Sequence, residues 1–331
     1  MGLTMRLGLQ LGGFFAFAVL MLVIMPLAIN ALGRNEYYYT LTLISLLAVA
    51  SAGVWITFYI GRINIGQAAY ALIGGYASAI LVTAYGWPFW WTIPVAGLVS
   101  AAISVFIGLP ILRLRGVYFA MVTLVSTEVA RLAALALPIT NGAKGMVNLP
   151  LPGPIALGPL TLVPDFATMA NPRSAFYILA VVIMLLAFAA VWRLVHSRLG
   201  KLFVALQQNE ELAASTGINI AGLRVIAYAI SSFLGGIAGA VFSAVSQSVY
   251  PSSFTTQDSI NFMLNCFLGG LGYVFGPIVG TFVLRFGWDL LFQTAQWQLL
   301  IYSGVLILLM LVLPNGILSL LGIRPSKPGA R

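Results

Sequence analysis

Few residues in this chain have side chains suited to chemistry, and their spacing narrows what that chemistry is. A single histidine, His196, and a single cysteine, Cys266, supply neither a nucleophile with its base nor a metal cluster, so no catalytic residues and no metal ligands are expected. Cys266 lies in an apolar run and should pack as a small apolar residue, while His196 belongs at an interface beside Arg193 and Arg198. There is no Gly-x-x-x-x-Gly-Lys-Ser/Thr phosphate loop, because Gly200-Lys201 is followed by Leu202 and lacks the upstream glycine. What remains is a set of polar side chains inside apolar segments: Asn64 and Gln67; Thr123, Ser126, Thr127, Glu128 and Arg131; Asn261 and Asn265, preceded by Asp258; and Arg285 with Asp289. Such groups cost a few kcal/mol in hydrocarbon unless satisfied, so they should face the interior of a helical bundle. A break between Arg62 and Gly66 would start a half-helix whose free amides could hold a carboxylate, although Asn64 and Gln67 would serve equally well as plain helix caps. Glu128–Arg131 and Arg285–Asp289 are spaced to pair along one helix face, as structural ion pairs or as solute contacts. The candidate pathway residues for a small polar solute are Asn64, Gln67, Tyr118, Thr123, Thr127, Glu128, Asn261 and Asn265.

The elements that must position these residues are membrane helices. The 331 residues are 61% hydrophobic and 7% charged, and the mean hydropathy is +1.02, whereas a soluble domain carries about 25% charged residues. Runs such as Gly12 to Gly33 and Phe176 to Trp192 hold no charge and are long enough, as helices, to cross a core of ~30 Å. Their continuous apolarity excludes the alternating pattern of a transmembrane barrel. The fold class expected is all-α, a polytopic transmembrane bundle of about ten spans near 12–33, 39–59, 66–85, 89–112, 117–138, 175–193, 224–248, 259–272, 274–291 and 298–321, forming a single transmembrane domain over 1–331. The run from Leu11 to Leu32 exceeds a signal-peptide core and is read as an uncleaved first span. The stretch 259–291 is open between one tilted helix and two short ones, with Gly269, Gly270, Gly272 and Gly276-Pro277 favouring a break. Gly272, Gly276 and Gly280, and likewise Gly235 and Gly239, recur every four residues and should let helices pack closely.

Charge orients the bundle. The net charge of +9 is scattered in ones and twos at the ends of apolar runs rather than gathered into the basic face that nucleic acid requires. With both termini cytoplasmic, the inside segments hold Arg6, Arg62, Arg113, Arg115, Arg193, Arg198, Lys201, Arg224, Arg324, Lys327 and Arg331, against Arg34, Lys144 and Arg173 outside, as the positive-inside rule demands. Two loops are long. That at 139–174 is external and rich in proline and glycine, suited to cap a pore mouth or to receive an external partner. That at 194–223 is cytoplasmic. Its apolar residues at 199, 202, 203 and 206 predict an amphipathic helix, and Asn209 can cap a second one with Glu210 and Glu211 in its first turn and Gly217 as its stop. Alanines there would let another protein approach closely, and the acids would offer it charge pairing.

The run Gly200, Ala205, Asn209-Glu210, Ala213-Ala214, Gly217-Ile218-Asn219 resembles the cytoplasmic loop of ABC importer permeases, and more narrowly that of the branched-chain amino-acid permeases of LivM-like type. The resemblance continues through Asn64-Ile65-Gly66-Gln67-Ala68-Ala69, Arg115-Gly116-Val117-Tyr118-Phe119-Ala120, Thr140-Asn141-Gly142 and Leu268-Gly269-Gly270-Leu271-Gly272, in the family's order. Gln207 and Gln208 depart from it, being neutral where the family commonly carries an arginine and a nearby acid or polar group. The resemblance implies that Gly200, Ala205, Asn209, Glu210, Glu211, Ala213, Ala214 and Gly217 dock onto a separate ATPase. It implies no cofactor in this chain, with ATP and Mg carried by two cytoplasmic ABC ATPase subunits. The other partners it implies are a homologous permease in a heterodimer, an external or periplasmic solute-binding protein, and lipid of the cell inner membrane. Leu, Ile or Val are the implied solutes, with urea, amides or other amino acids as the alternative within the family. A different class, an ion-coupled secondary transporter, would use Glu128, Arg131, Arg285 and Asp289 as its relay.

Overall fold

The computed structural model describes residues 13–321 apart from 15, 115, 158–159, 170 and 291–297. Arg6, Arg115, Arg324, Lys327 and Arg331, like Gly158 and Pro159 of the external loop, lie outside the described residues. Apolar helices form at ten places among those described: α1 (Ala16–Leu32, with a π-helical stretch at Leu20–Ile24), α2 (Glu36–Tyr59), α3 (Gln67–Thr83), α4 (Phe89–Ile111), α5 (Gly116–Ala136), α6 (Pro172–His196), then, beyond the two short loop helices α7 (Arg198–Gln208) and α8 (Glu210–Ser215), α9 (Ile220–Ser246), α10 (Thr256–Gly269), α11 (Gly276–Leu290) and α12 (Gln298–Val312). Five of them, α2, α4, α5, α6 and α9, are each long and apolar enough to cross a membrane alone. The others are shorter. At 1.5 Å per residue, α3 and α10 reach only ~21–26 Å, less than a hydrocarbon core of ~30 Å.

The centre of the bundle is α2, apolar all round and almost wholly buried, with α9 packed across α2, α3 and α4. The α3–α9 crossing is set by small residues. A Cβ on Gly239 would collide with the backbone of Ala71, and one on Gly74 with the backbone of Gly236, so the two helices meet main chain to main chain. The stretch 259–291 is resolved as two helices, α10 and α11, packed side by side and joined by a turn at Gly270, whose φ of +109° suits glycine alone. Gly276 and Gly280 lie against Gly269–Gly270 and Asn265, while Gly272 falls in the turn rather than on the helical stripe its spacing suggested. Trp55 of α2 donates its indole N–H to the carbonyl of Leu271 at 3.0 Å, pinning the tip of this hairpin to the core. Cys266 is fully buried, as its apolar setting suggested.

Alternating helices leave two faces. One carries β1 (Met146–Val147) paired antiparallel with β4 (Ser248–Val249), and a second hairpin of β2 (Ile155–Leu157) and β3 (Leu160–Val163). The long loop of this face is folded: Phe166 is buried against Trp90 and Phe176, and the Trp90 indole donates to the Gly153 carbonyl at 2.8 Å. The opposite face carries α7, α8, Arg62 and Arg224.

Close packing of the backbones at the α3–α9 crossing gives a direct test. Gly239→Leu forces extra volume into main chain and should cost at least ~3 kcal/mol, eliminating the monodisperse peak in size-exclusion chromatography in mild detergent. Gly304→Leu, where a side chain meets open space, should elute like the parent.

Candidate functional site: a buried polar seam and the helices that reach it

Between α2 and α3 the chain does not turn at the surface. Residues 62–66 run in non-helical conformation back into the bundle, so that Gly66 abuts the backbone of Thr123, about 10 Å along α5. Bare backbone at that depth is tolerated only where its amides find partners inside the protein, and here side chains engage three of them. The Ile65 N–H donates to Thr123 Oγ1 at 3.1 Å, the Gly66 N–H to Asn64 Oδ1 at 2.9 Å, and the Ala68 N–H to Ser259 Oγ at 3.0 Å. Thr127 Oγ1 lies 3.1 Å from the same Ser259 hydroxyl. Gln67 spans the seam. Its Nε2 donates to the Ser231 carbonyl at 2.8 Å, and its Oε1 accepts from Ser231 Oγ at 3.0 Å. Asn64 and Gln67 are wholly buried, and Thr123 and Thr127 nearly so. Asn64 forms a tight turn onto the Gly66 N–H rather than a cap on α3, whose N-cap residue is Gly66, and the amides of Ile65, Gly66 and Ala68 are engaged within the chain.

The other candidate pathway residues fall in two separate places. Tyr118 and Glu128 lie on the outer face of α5, where Val117, Met121, Val125 and Val129 are also exposed. Glu128 there forms a bidentate ion pair with Arg131. Asn261 and Asn265 line a cavity between α2, α9, α10 and α11, with Asn265 Nδ2 also donating to Ser51 Oγ at 3.0 Å.

On the face opposite the β-hairpins, the loop forms the predicted pair of helices. The Ser197 hydroxyl caps α7, accepting from the Gly200 N–H at 3.4 Å, and Asn209 Oδ1 caps α8, accepting from the Leu212 N–H at 3.0 Å. Phe203, Leu206 and Ala213 are buried beneath, and Gly200 is packed so tightly that a Cβ would strike the carbonyls of Leu194 and Val195. Ala205 is half-buried. Asn209, Glu211, Ala214 and Gly217 are exposed, the last at a φ of +80° that closes the turn.

Glu210 does not point outward with Glu211. It turns back to ion-pair with Arg224 of α9 and lies 3.7 Å from Arg62 Nη2, at the mouth of the buried segment. Arg62 also donates to the Leu114 carbonyl and stands 5.9 Å over the Phe119 ring, and Arg224 donates to the Leu112 carbonyl at 3.4 Å. The two arginine side chains are only 8% and 10% exposed, so the carboxylate supplies counter-charge that water does not. Sequence reasoning read Arg62 and Arg224 as topological markers. It also passed over Leu212, which is 64% exposed on α8 although apolar.

Comparison with known proteins places this geometry in a family. The family model described as branched-chain amino acid transport system / permease component matches residues 37–314. The high-affinity branched-chain amino acid transport system permease protein LivM of Salmonella typhimurium is 32% identical over 271 residues, covering 78% of this chain and 64% of the relative, so the chain spans a little under two thirds of that protein's length. The ribose import permease protein RbsC of Escherichia coli is 25% identical over 313 residues, covering 90% of this chain and 91% of the relative. A probable branched-chain amino acid transport permease protein LivH of Methanocaldococcus jannaschii is 23% identical over 251 residues, covering 72% of this chain and 75% of the relative. No solved structure matches the chain. The family match extends from the start of α2 to just beyond α12 and so takes in the buried seam, the paired loop helices and the α10–α11 hairpin: this chain belongs to the branched-chain amino acid transport system permease family.

Proposed function

We propose that the chain is the permease subunit of an ATP-driven importer that carries branched-chain amino acids, Leu, Ile or Val, across the cell inner membrane, with both termini cytoplasmic. The observation that carries the reading is the α7–α8 pair: two capped helices present Leu212, Glu211, Ala214 and Gly217 outward, while the inward face is tied through Glu210 to Arg62 and hence to the buried segment 62–67. A partner that moves α8 moves the start of the polar seam. The partner we assign is an ABC ATPase, two copies per transporter, which holds the ATP and Mg for which this chain has no phosphate loop. Arg62, Arg113, Arg193, Arg198, Lys201 and Arg224 lie on the α7–α8 side, and Arg34, Lys144 and Arg173 on the other, a distribution that supports a cytoplasmic position for α7–α8. The folded 139–174 loop is then the surface to which an external or periplasmic solute-binding protein delivers the solute.

A homologous permease completes the pathway in this reading, as a heterodimer. The exposed face of α5 supports it, because the Glu128–Arg131 pair sits midway along an apolar helix surface where direct contact with lipid tails is costly. Protein or water against that face removes the cost.

Purification from native membranes in mild detergent should bring down an ABC ATPase, and the reconstituted assembly should take up leucine only with ATP. Uptake that needs no ATPase and follows a proton or sodium gradient would instead establish a secondary transporter. A second test separates docking from stability. Leu212→Asp should leave the thermal midpoint unchanged within a degree or two but abolish solute-stimulated ATP hydrolysis; undiminished stimulation would refute docking through α8. Glu210→Gln withdraws the carboxylate charge that two nearly buried guanidinium groups face, and should lower stability by about 3 kcal/mol, read as a fall of several degrees in the thermal midpoint.

A further inference from the structure

One cavity lies apart from the seam and from the α7–α8 surface. It occupies about 480 Å³ between α2, α9, α10 and α11, within the size range of small-ligand sites. Its lining is divided. Gln257, Asn261 and Asn265 recur every four residues and form a polar stripe along α10. Arg285 faces them from α11, with Thr281 one turn away. The remaining wall is apolar, with Leu43 and Leu47 of α2 and Leu284 of α11. Asp258 is at the α10 entrance, where one carboxylate oxygen accepts from the N–H and hydroxyl of Thr255 at 2.7 and 2.8 Å, leaving the other oxygen available.

This is poor design for a mere packing gap. Arg285 lies about 14 Å from the hairpin tip along α11, and its Nε is buried with no hydrogen-bond partner, since Asp289 Oδ1 is 3.7 Å away. Among the described residues no hydrogen bond engages the side-chain amide of Gln257 or Asn261. The Arg285 side chain is a third exposed, Asn261 is half-buried and Gln257 exposed, so all three open onto the cavity, and an ionisable group so placed within a membrane protein marks a ligand site. We propose that the cavity is a binding chamber for a small zwitterion with an aliphatic side chain. The carboxylate pairs with Arg285, the ammonium group is held by Asp258 and the amide oxygens of Asn261 and Gln257, and the side chain lies on Leu43, Leu47 and Leu284. The assignment of a branched-chain amino acid to this chamber rests on the permease reading above.

The test uses the full chain in lipid nanodiscs, with tritiated L-leucine as the probe and two competitors, leucinamide, which lacks the carboxylate, and 4-methylpentanoate, which lacks the ammonium. The parent protein should bind leucine and discriminate against each competitor roughly ten-fold or more, the worth of one charge-assisted hydrogen bond. Arg285→Gln should weaken leucine about ten-fold and erase its advantage over leucinamide, while Leu47→Trp, which fills the chamber without touching a charge, should abolish binding. Should leucine affinity be the same in both variants, or should Arg285→Gln still prefer leucine over leucinamide, the chamber is overturned. So would a phospholipid retained in native mass spectra that leucine does not displace. Failure of this inference is distinguishable from failure of the permease reading: ATP-dependent leucine uptake by the assembly with no leucine bound in nanodiscs sinks the chamber alone, whereas leucine bound in the chamber without ATP-dependent uptake sinks the importer.

Discussion

The ion cluster of Arg62, Glu210 and Arg224 is the constraint around which this structure is organised. It joins three places that the chain visits far apart in sequence: the loop end of the non-helical segment, the first turn of α8, and the base of α9. Two guanidinium groups that are about nine-tenths buried hold the Glu210 carboxylate between them, and Glu210 cannot swing outward without giving up both contacts. The position of α8 is therefore coupled to the position of residues 62–67. A surface helix would ordinarily be free to drift on its amphipathic face; this one is tethered.

The second requirement follows from the bilayer. Backbone that leaves helical geometry inside a membrane needs partners for its amides, and those of Ile65, Gly66 and Ala68 find them in Thr123 of α5, Asn64 of the segment itself and Ser259 of α10, while the Gln67 side chain ties the segment to α9. Each of those helices is thereby held in register with the others. Small residues at the α3–α9 crossing bring the backbones close enough for the short Ser and Thr side chains to reach. The seam is consequently a rigid joint of many modest hydrogen bonds, and motion of α8 acts on it as a unit.

A further contrast separates the seam from the α10–α11 cavity. Polar groups in the seam have their partners within the chain, as the 2.8 Å Gln67–Ser231 contact shows, whereas Arg285 Nε and the amides of Gln257 and Asn261 do not. The same kind of residue in the same kind of helix thus carries two different meanings. Burial and the inventory of partners both distinguish them: Asn64 and Gln67 are wholly buried, whereas Asn261 is half-buried and Gln257 exposed.

By itself the sequence determined the apolar segments, the break between α10 and α11, and the caps and stop of α7 and α8, because hydropathy, glycine and capping act over a few neighbouring residues. Ser197, Asn209 and Gly217 do in the structure what their types and offsets dictate. Tertiary structure alone decided which polar residue meets which. A helix as uniformly apolar as α2 shows no face, so nothing in its sequence tells that Ser51 will receive Asn265 or that Trp55 will hold Leu271. The same limit hid Glu210, which reads as an exposed acid beside Glu211 until α9 and the 62–66 segment bring two arginines to it. In a membrane the physical reason is plain: lipid rewards every apolar surface equally, and only polar pairing and close packing of small residues, both set by neighbours distant in sequence, choose the arrangement.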